Sequence, residues 1–136
     1  MEGYQVIPIG RVESSLTKRA QAPRQGDEGA PDAWLVFDPA FAEGIRDIAE
    51  GIEIIVLTWL DRADRQVLVT TPRDDPARPL TGVFSTRSPD RPNPIGLHRV
   101  QVVRAAGLRI LVRPLEALDK TPILDVKPVL DKITER

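Results

Sequence analysis

No cysteine occurs in the 136 residues, and His98 is the only histidine. The first absence excludes disulfides, thiolate nucleophiles and cysteine-based metal sites, and the second excludes a multi-histidine metal centre within one chain. The nine glycines contain no Gly-x-Gly pair, so a Rossmann-type phosphate loop is missing. The strongest apolar run, Ile54 to Leu60, is far shorter than a membrane span, and Met1–Gln5 has neither a basic nor a long apolar stretch. Net charge is −1, which gives no overall attraction to nucleic acid or an anionic membrane. There is no internal repeat or low-complexity segment. A single cytoplasmic domain over residues 1–136, with no additional C-terminal domain, is the expectation.

What the chain does have is an unusual run from Gly82 to Leu97, with prolines at 89, 92 and 94 and Arg87, Ser88, Asp90, Arg91 and Asn93 between them. Each proline fixes its own φ and removes a donor, and each drives the residue before it towards extended geometry. The run therefore reads as a stiff loop with pre-positioned polar groups, left through Gly96.

Around it the pattern is mainly β. Strands are expected at Tyr4–Val12, with Pro8 at an edge or bulge, and at Ala33–Phe37, Glu53–Leu60, Gln66–Thr71 and Ile123–Val126. Val100–Arg104 and Leu108–Arg113 flank Ala105-Ala106-Gly107 as a hairpin. Glu53–Leu60, apolar at nearly every position, suits a strand covered on both faces. One helix is expected after Asp38-Pro39, with Phe41, Ile45 and Ile48 as its buried stripe and Gly51 as its stop. Residues 13 to 31 and Pro72 to Pro79 are loops, the first long enough to be functional. Many short strands with one helix give a mainly β fold, a single-domain barrel or sandwich with a long N-terminal loop. Trp34 and Trp59 are expected in its core, and His98 at its surface.

Two strings are specific. Ser85-Thr86-Arg87-Ser88-Pro89-x-Arg91-Pro92-Asn93-Pro94-Ile95-Gly96 and Leu118-Asp119-Lys120-Thr121-Pro122-Ile123-Leu124-Asp125-Val126-Lys127-Pro128 stand about 25 residues apart. Together they resemble the two signatures of the TsaA-like family, also called TrmO, YaeB or VirR. The resemblance covers nearly the whole chain and includes Ala22-Pro23-Arg24-Gln25, similar to a segment that closes over the cofactor in relatives. Lys120 departs from it, since relatives commonly have glycine there.

The resemblance implies a β-barrel methyltransferase that uses S-adenosylmethionine, works as a homodimer with the cofactor near the subunit interface, and methylates N6 of threonylcarbamoyl-adenosine beside the anticodon of threonine tRNA. A non-catalytic S-adenosylmethionine-binding sensor, or a methyltransferase for a small molecule or another RNA, is the alternative. The implied cofactor-binding positions are Pro23, Arg24 and Gln25, then Arg87, Ser88, Pro89, Arg91, Pro92, Asn93, Pro94, Ile95, Gly96 and Leu97, and finally Asp119, Thr121 and Pro122. Arg87 or Arg91 suits the cofactor's carboxylate, and Asp119 or Asp125 its ammonium or ribose hydroxyls. Asn93 suits an adenine edge, with Ile95 and Leu97 against the ring. Candidates for a catalytic role are Arg87, Asp119, Asp125 and Lys127, and no residue stands out as a general base. Between Arg78 and Arg113, seven arginines face one acid, Asp90, a formal +6. This is either a patch that follows phosphates or a set of arginines distributed round a barrel and neutralised by acids elsewhere.

Overall fold

Alternation of side chains builds the interior. Ala33, Leu35 and Phe37 of β2 (Ala33–Phe37), Ile54 and Val56 of β3 (Glu53–Trp59) and Val100 and Val102 of β6 (Ile95–Ala106) all point inward. Val12 of β1 (Gly10–Glu13), Ile110 and Val112 of β7 (Arg109–Arg113) and Ile123 of β8 (Pro122–Pro128) join them, with Leu115 and Ala117 from the connection after β7. Fully burying a side chain of this size contributes roughly 1.5–3 kcal/mol, so this cluster is the main source of stability. The computed structural model describes residues 2–72 and 75–130.

The strands close into one antiparallel barrel, in the order β1-β2-β7-β6-β3-β8 and back to β1. Closure leaves no exposed edge to recruit another chain. The seams are unequal. β3 and β6 pair over seven positions, Glu53↔Gln101 to Trp59↔Ile95, whereas β1 and β8 meet only at Gly10↔Ile123 and Arg11↔Pro122. A separate two-stranded ribbon, β4 (Val69–Thr70) with β5 (Thr81–Gly82), stands beside the barrel. Among the described residues, no helix is long and apolar enough to cross a membrane.

The mainly β barrel agrees with the sequence reading, and several elements differ in detail. The first strand begins at Gly10, because Pro8 has no N–H to give and pairing starts with Ile9, whose N–H donates to the Ile123 carbonyl at 2.8 Å. The expected helix shrinks to a 3-10 turn over Pro39–Phe41 and one α-turn, α1 (Ala42–Ile45). Asp38 caps it as expected, accepting from the Ala40 N–H at 2.9 Å. β3 alternates between buried and half-buried residues, so it is covered on one face and not two. The strand expected over 66–71 is reduced to the ribbon's two residues. Of the loop expected over 72–79, residues 73 and 74 lie outside the described residues.

Candidate functional site

Where β3 ends and β6 begins, the barrel opens into a cleft of about 1220 Å³. Its walls come from three stretches far apart in sequence: Pro23, Arg24 and Gln25; the run from Ser85 to His98; and Glu116, Ala117, Leu118 and Thr121. Leu57, Leu60, the turn after β3, residues 70–72, Arg19 and Arg78 also line it.

The proline-rich run is held by donors that reach its carbonyls. Arg91 Nη2 donates to the Thr86 carbonyl at 2.6 Å and also to the Val83 carbonyl. Arg65 Nε donates to the Pro92 carbonyl at 2.6 Å, and its Nη2 to Asn93 Oδ1 at 3.1 Å. The Leu60 N–H donates to the Pro94 carbonyl at 2.8 Å. Proline supplies acceptors and no donors, so arginines complete the loop's hydrogen bonding. Asp90 pairs with Arg19 at 3.2 Å, not with its neighbour Arg91.

Of the residues singled out in the sequence, Pro23, Arg24, Gln25, Arg87, Ser88, Pro89, Arg91, Ile95, Gly96, Leu97 and Thr121 all line the cleft. Arg87 makes no ion pair among the described residues, whereas Arg91 is committed to the loop's own carbonyls. Pro92, Asn93 and Pro94 brace the loop from behind. Asp119 and Pro122 stand apart from the cleft walls: Asp119 Oδ1 accepts the Ser14 N–H at 3.0 Å and so ties the 118–121 turn to the chain just after β1. Asp125 and Lys127 sit on β8 away from the cleft and pair with each other at 3.0 Å.

The backbone at Lys120 accounts for the glycine of the family pattern. Its φ is +69°, the left-handed region that glycine occupies without strain. Lys120→Gly is expected to raise stability by up to about 1 kcal/mol, the relieved strain being partly offset by glycine's greater freedom when unfolded. Thermal melting of the two proteins measures it.

His98 corrects the surface expectation: it is 5% exposed and points into the barrel. With Glu116 as a carboxylate, Nδ1–H donates to Glu116 Oε1 at 2.5 Å. The other ring nitrogen, Nε2, stands 2.7 Å from the fully buried Thr58 hydroxyl and shares a hydrogen bond with it. The sequence contained the signal, since 98 is in phase with the buried Gly96, Val100 and Val102. Gly96 is therefore a strand residue, not a loop exit. A Cβ there would collide with Thr58 Oγ1 and come within 2.6 Å of His98 Nε2.

The stretch before β2 is strapped across the cleft. Arg19 binds Asp90 and the Arg62 carbonyl, and Arg62 Nη1 donates to the Thr17 carbonyl at 2.9 Å. Four arginines of the +6 segment are neutralised in ion pairs: Arg78 with Asp75, Arg99 with Glu53, Arg109 with Glu13 and Arg113 with Asp32. Hydrogen bonds from Arg113 and Arg99 hold the Asp32 and Glu53 carboxyls below their ordinary values. Trp34 is not in the core either: it lies half-buried on the outer wall, with Arg109 4.8 Å and Arg104 5.7 Å from its ring centre. Trp59, also half-buried, carries Arg65 at 5.1 Å.

Comparison with known proteins finds relatives of one family. The model of the tRNA-methyltransferase O N-terminal domain matches residues 11–134. An S-adenosyl-L-methionine-binding protein of Archaeoglobus fulgidus is 40% identical over 132 residues, 94% of this chain and 93% of that protein. A second protein of the same organism, a probable S-adenosyl-L-methionine-binding protein, is 40% identical over 124 residues, but these cover 91% of this chain and only 33% of that protein. The crystal structure of TrmO from Pseudomonas aeruginosa superposes with a TM-score of 0.75 at 26% identity, covering 100% of this chain and 60% of that one.

Proposed function

Because the chain belongs to the tRNA-methyltransferase O N-terminal domain family, we propose that it is an S-adenosylmethionine-dependent methyltransferase acting on N6 of threonylcarbamoyl-adenosine beside the anticodon of threonine tRNA. The observation that carries this reading is the meeting of three distant segments, 23–25, 85–98 and 116–121, around one cleft. The residues present fit the methyl donor. Arg87 reaches the cleft with no acid paired to it among the described residues and suits the donor's carboxylate in a bidentate pair. Ile95 and Leu97, each about half exposed on the cleft wall, offer apolar contact to an adenine ring. Pro23, Arg24 and Gln25 would cover it.

When bound, S-adenosylmethionine supplies an electrophilic methyl group. The protein's part is to exclude water with the strap and to hold the substrate nitrogen in line, a contribution of orientation more than of acid–base chemistry. Cytoplasmic tRNA is the partner this reading requires. A homodimer with the cleft near its interface belongs to the same proposal. It is supported by Leu68, Val69, Leu80 and Phe84, all exposed on or next to the ribbon beside the cleft. Sedimentation giving a monomer at micromolar concentration would count against the dimer.

The test is transfer of label from methyl-labelled S-adenosylmethionine to tRNA lacking the modification. Label should appear in threonine tRNA. Arg87→Ala should weaken donor binding about tenfold or more, the scale of a charge-assisted bond, with no change in melting temperature. Tight donor binding by the wild type with no RNA labelled would favour a binding protein, the activity named for the Archaeoglobus relatives.

A further inference from the structure

We infer that Glu116 is the counter-charge for the cationic part of the methyl donor, held in position by His98; this rests on the reading that the cleft binds S-adenosylmethionine. The argument starts from charge. Among the described residues six arginines line the cleft against two acids, Asp61 and Glu116, and two of the six, Arg19 and Arg78, are neutralised by Asp90 and Asp75. The donor brings one carboxylate and two cationic centres, an ammonium and a sulfonium. Arg87 serves the carboxylate, and because Arg62 and Arg91 are also uncompensated by an acid among the described residues, the cations would enter a field of their own sign without an anion at the wall. Asp61 is exposed at the rim, while the Glu116 side chain is only 15% exposed.

Glu116 is also built not to move. One oxygen is taken by His98 Nδ1 at 2.5 Å, and the imidazole is fixed from its other side by Thr58 at 2.7 Å. The other oxygen, Oε2, faces Gly26 of the strap, where a Cβ would stand 3.0 Å away. Among the described residues no hydrogen bond reaches that oxygen, and it is not fully buried. A carboxylate fixed through one oxygen and without a hydrogen-bond partner at the other, on the wall of a cleft, is preorganised for a positive ligand. Packing alone gives no reason to bring a histidine and a glutamate to this point, because an apolar pair would fill the barrel end without desolvating polar groups. His98 is thus a positioning residue that acts through Glu116.

Equilibrium titration of three probes tests the assignment: S-adenosylmethionine, S-adenosylhomocysteine, which keeps the ammonium and lacks the sulfonium, and 5′-methylthioadenosine, which carries neither. Glu116→Gln is nearly isosteric and still accepts from His98 Nδ1, so a melting curve like that of the wild type is expected. It should bind S-adenosylmethionine about 10- to 100-fold more weakly, the scale of one hydrogen bond to a charged group, and methylthioadenosine nearly as well as the wild type does. S-adenosylhomocysteine affinity falling equally assigns the ammonium, and S-adenosylhomocysteine affinity unchanged assigns the sulfonium. His98→Asn should show the same selective loss, to a smaller extent. Unchanged S-adenosylmethionine binding by Glu116→Gln, or equal loss of both S-adenosylmethionine and methylthioadenosine, overturns the inference alone. Failure of the wild type to bind S-adenosylmethionine overturns it together with the proposed function.

Discussion

Arg91→Ala is expected to lower both stability and donor affinity, and to do so more severely than loss of any other arginine at the cleft. Its guanidinium reaches two carbonyls of the 82–94 run, those of Val83 and Thr86, while its Nε is buried with no hydrogen-bond partner among the described residues. The loop cannot replace these bonds internally, because its prolines lack N–H groups. Bonds from a charged donor contribute roughly 1.5–3 kcal/mol each, so losing two should destabilise the fold by about 3 kcal/mol or more. Donor binding should fall at least about tenfold as the loop loses its fixed shape. Arg91→Lys should recover only part, since a point ammonium has no planar fork with which to span both carbonyls. Melting and titration of the two variants beside Arg87→Ala separate the roles: Arg87 should cost affinity without stability, and Arg91 both. If Arg91→Ala melted like the wild type, the loop would have some other support.

Gly10→Ala should produce the largest loss of stability from a single methyl group. A Cβ at Gly10 would run into the Val36 carbonyl oxygen and stand 2.9 Å from Phe37 Cα. These are backbone atoms of β2, which cannot turn aside as a side chain tip can. On its other side Gly10 pairs with Ile123, in the seam that has only two paired positions. Moving β1 away from β2 therefore strains the junction least able to give. Overpacking typically costs 1–3 kcal/mol, and we expect about 3 kcal/mol or more here, a fall in melting temperature on the order of 10 °C. Gly44→Ala is the control: nothing lies within 4 Å of its Cβ position in α1, so its melting temperature should hold or rise.

The many short strands made a barrel or sandwich legible and the family resemblance pointed to the barrel, in which β2, β7 and the first part of β6 bury every second residue. Two tight strings made the cleft's walls legible as well. What escaped has identifiable physical causes. His98 was read beside the proline run and not in phase with Val100 and Val102, so its inward direction was missed. Glu116 carries no local pattern at all, since its role exists only once the chain after β7 meets the start of β6. Trp34 looked like core by size, but its place on β2 alternates with Ala33 and Leu35, which puts it outside under two arginines. The helix was overestimated because Ile45 and Ile48 do pack against the core, although only the first lies in an α-turn.

Those stacked tryptophans give the protein two optical reporters in different places. Trp34 looks out from the barrel wall beneath Arg104 and Arg109. Trp59 ends β3 beneath Arg65, whose guanidinium also grips Pro92 and Asn93 of the proline run. Any shift of that run when a small molecule enters is mechanically linked to the indole of Trp59 and not to that of Trp34. Emission from a Trp34→Phe protein would therefore follow occupancy of the cleft without a label, and a Trp59→Phe protein would supply the silent baseline.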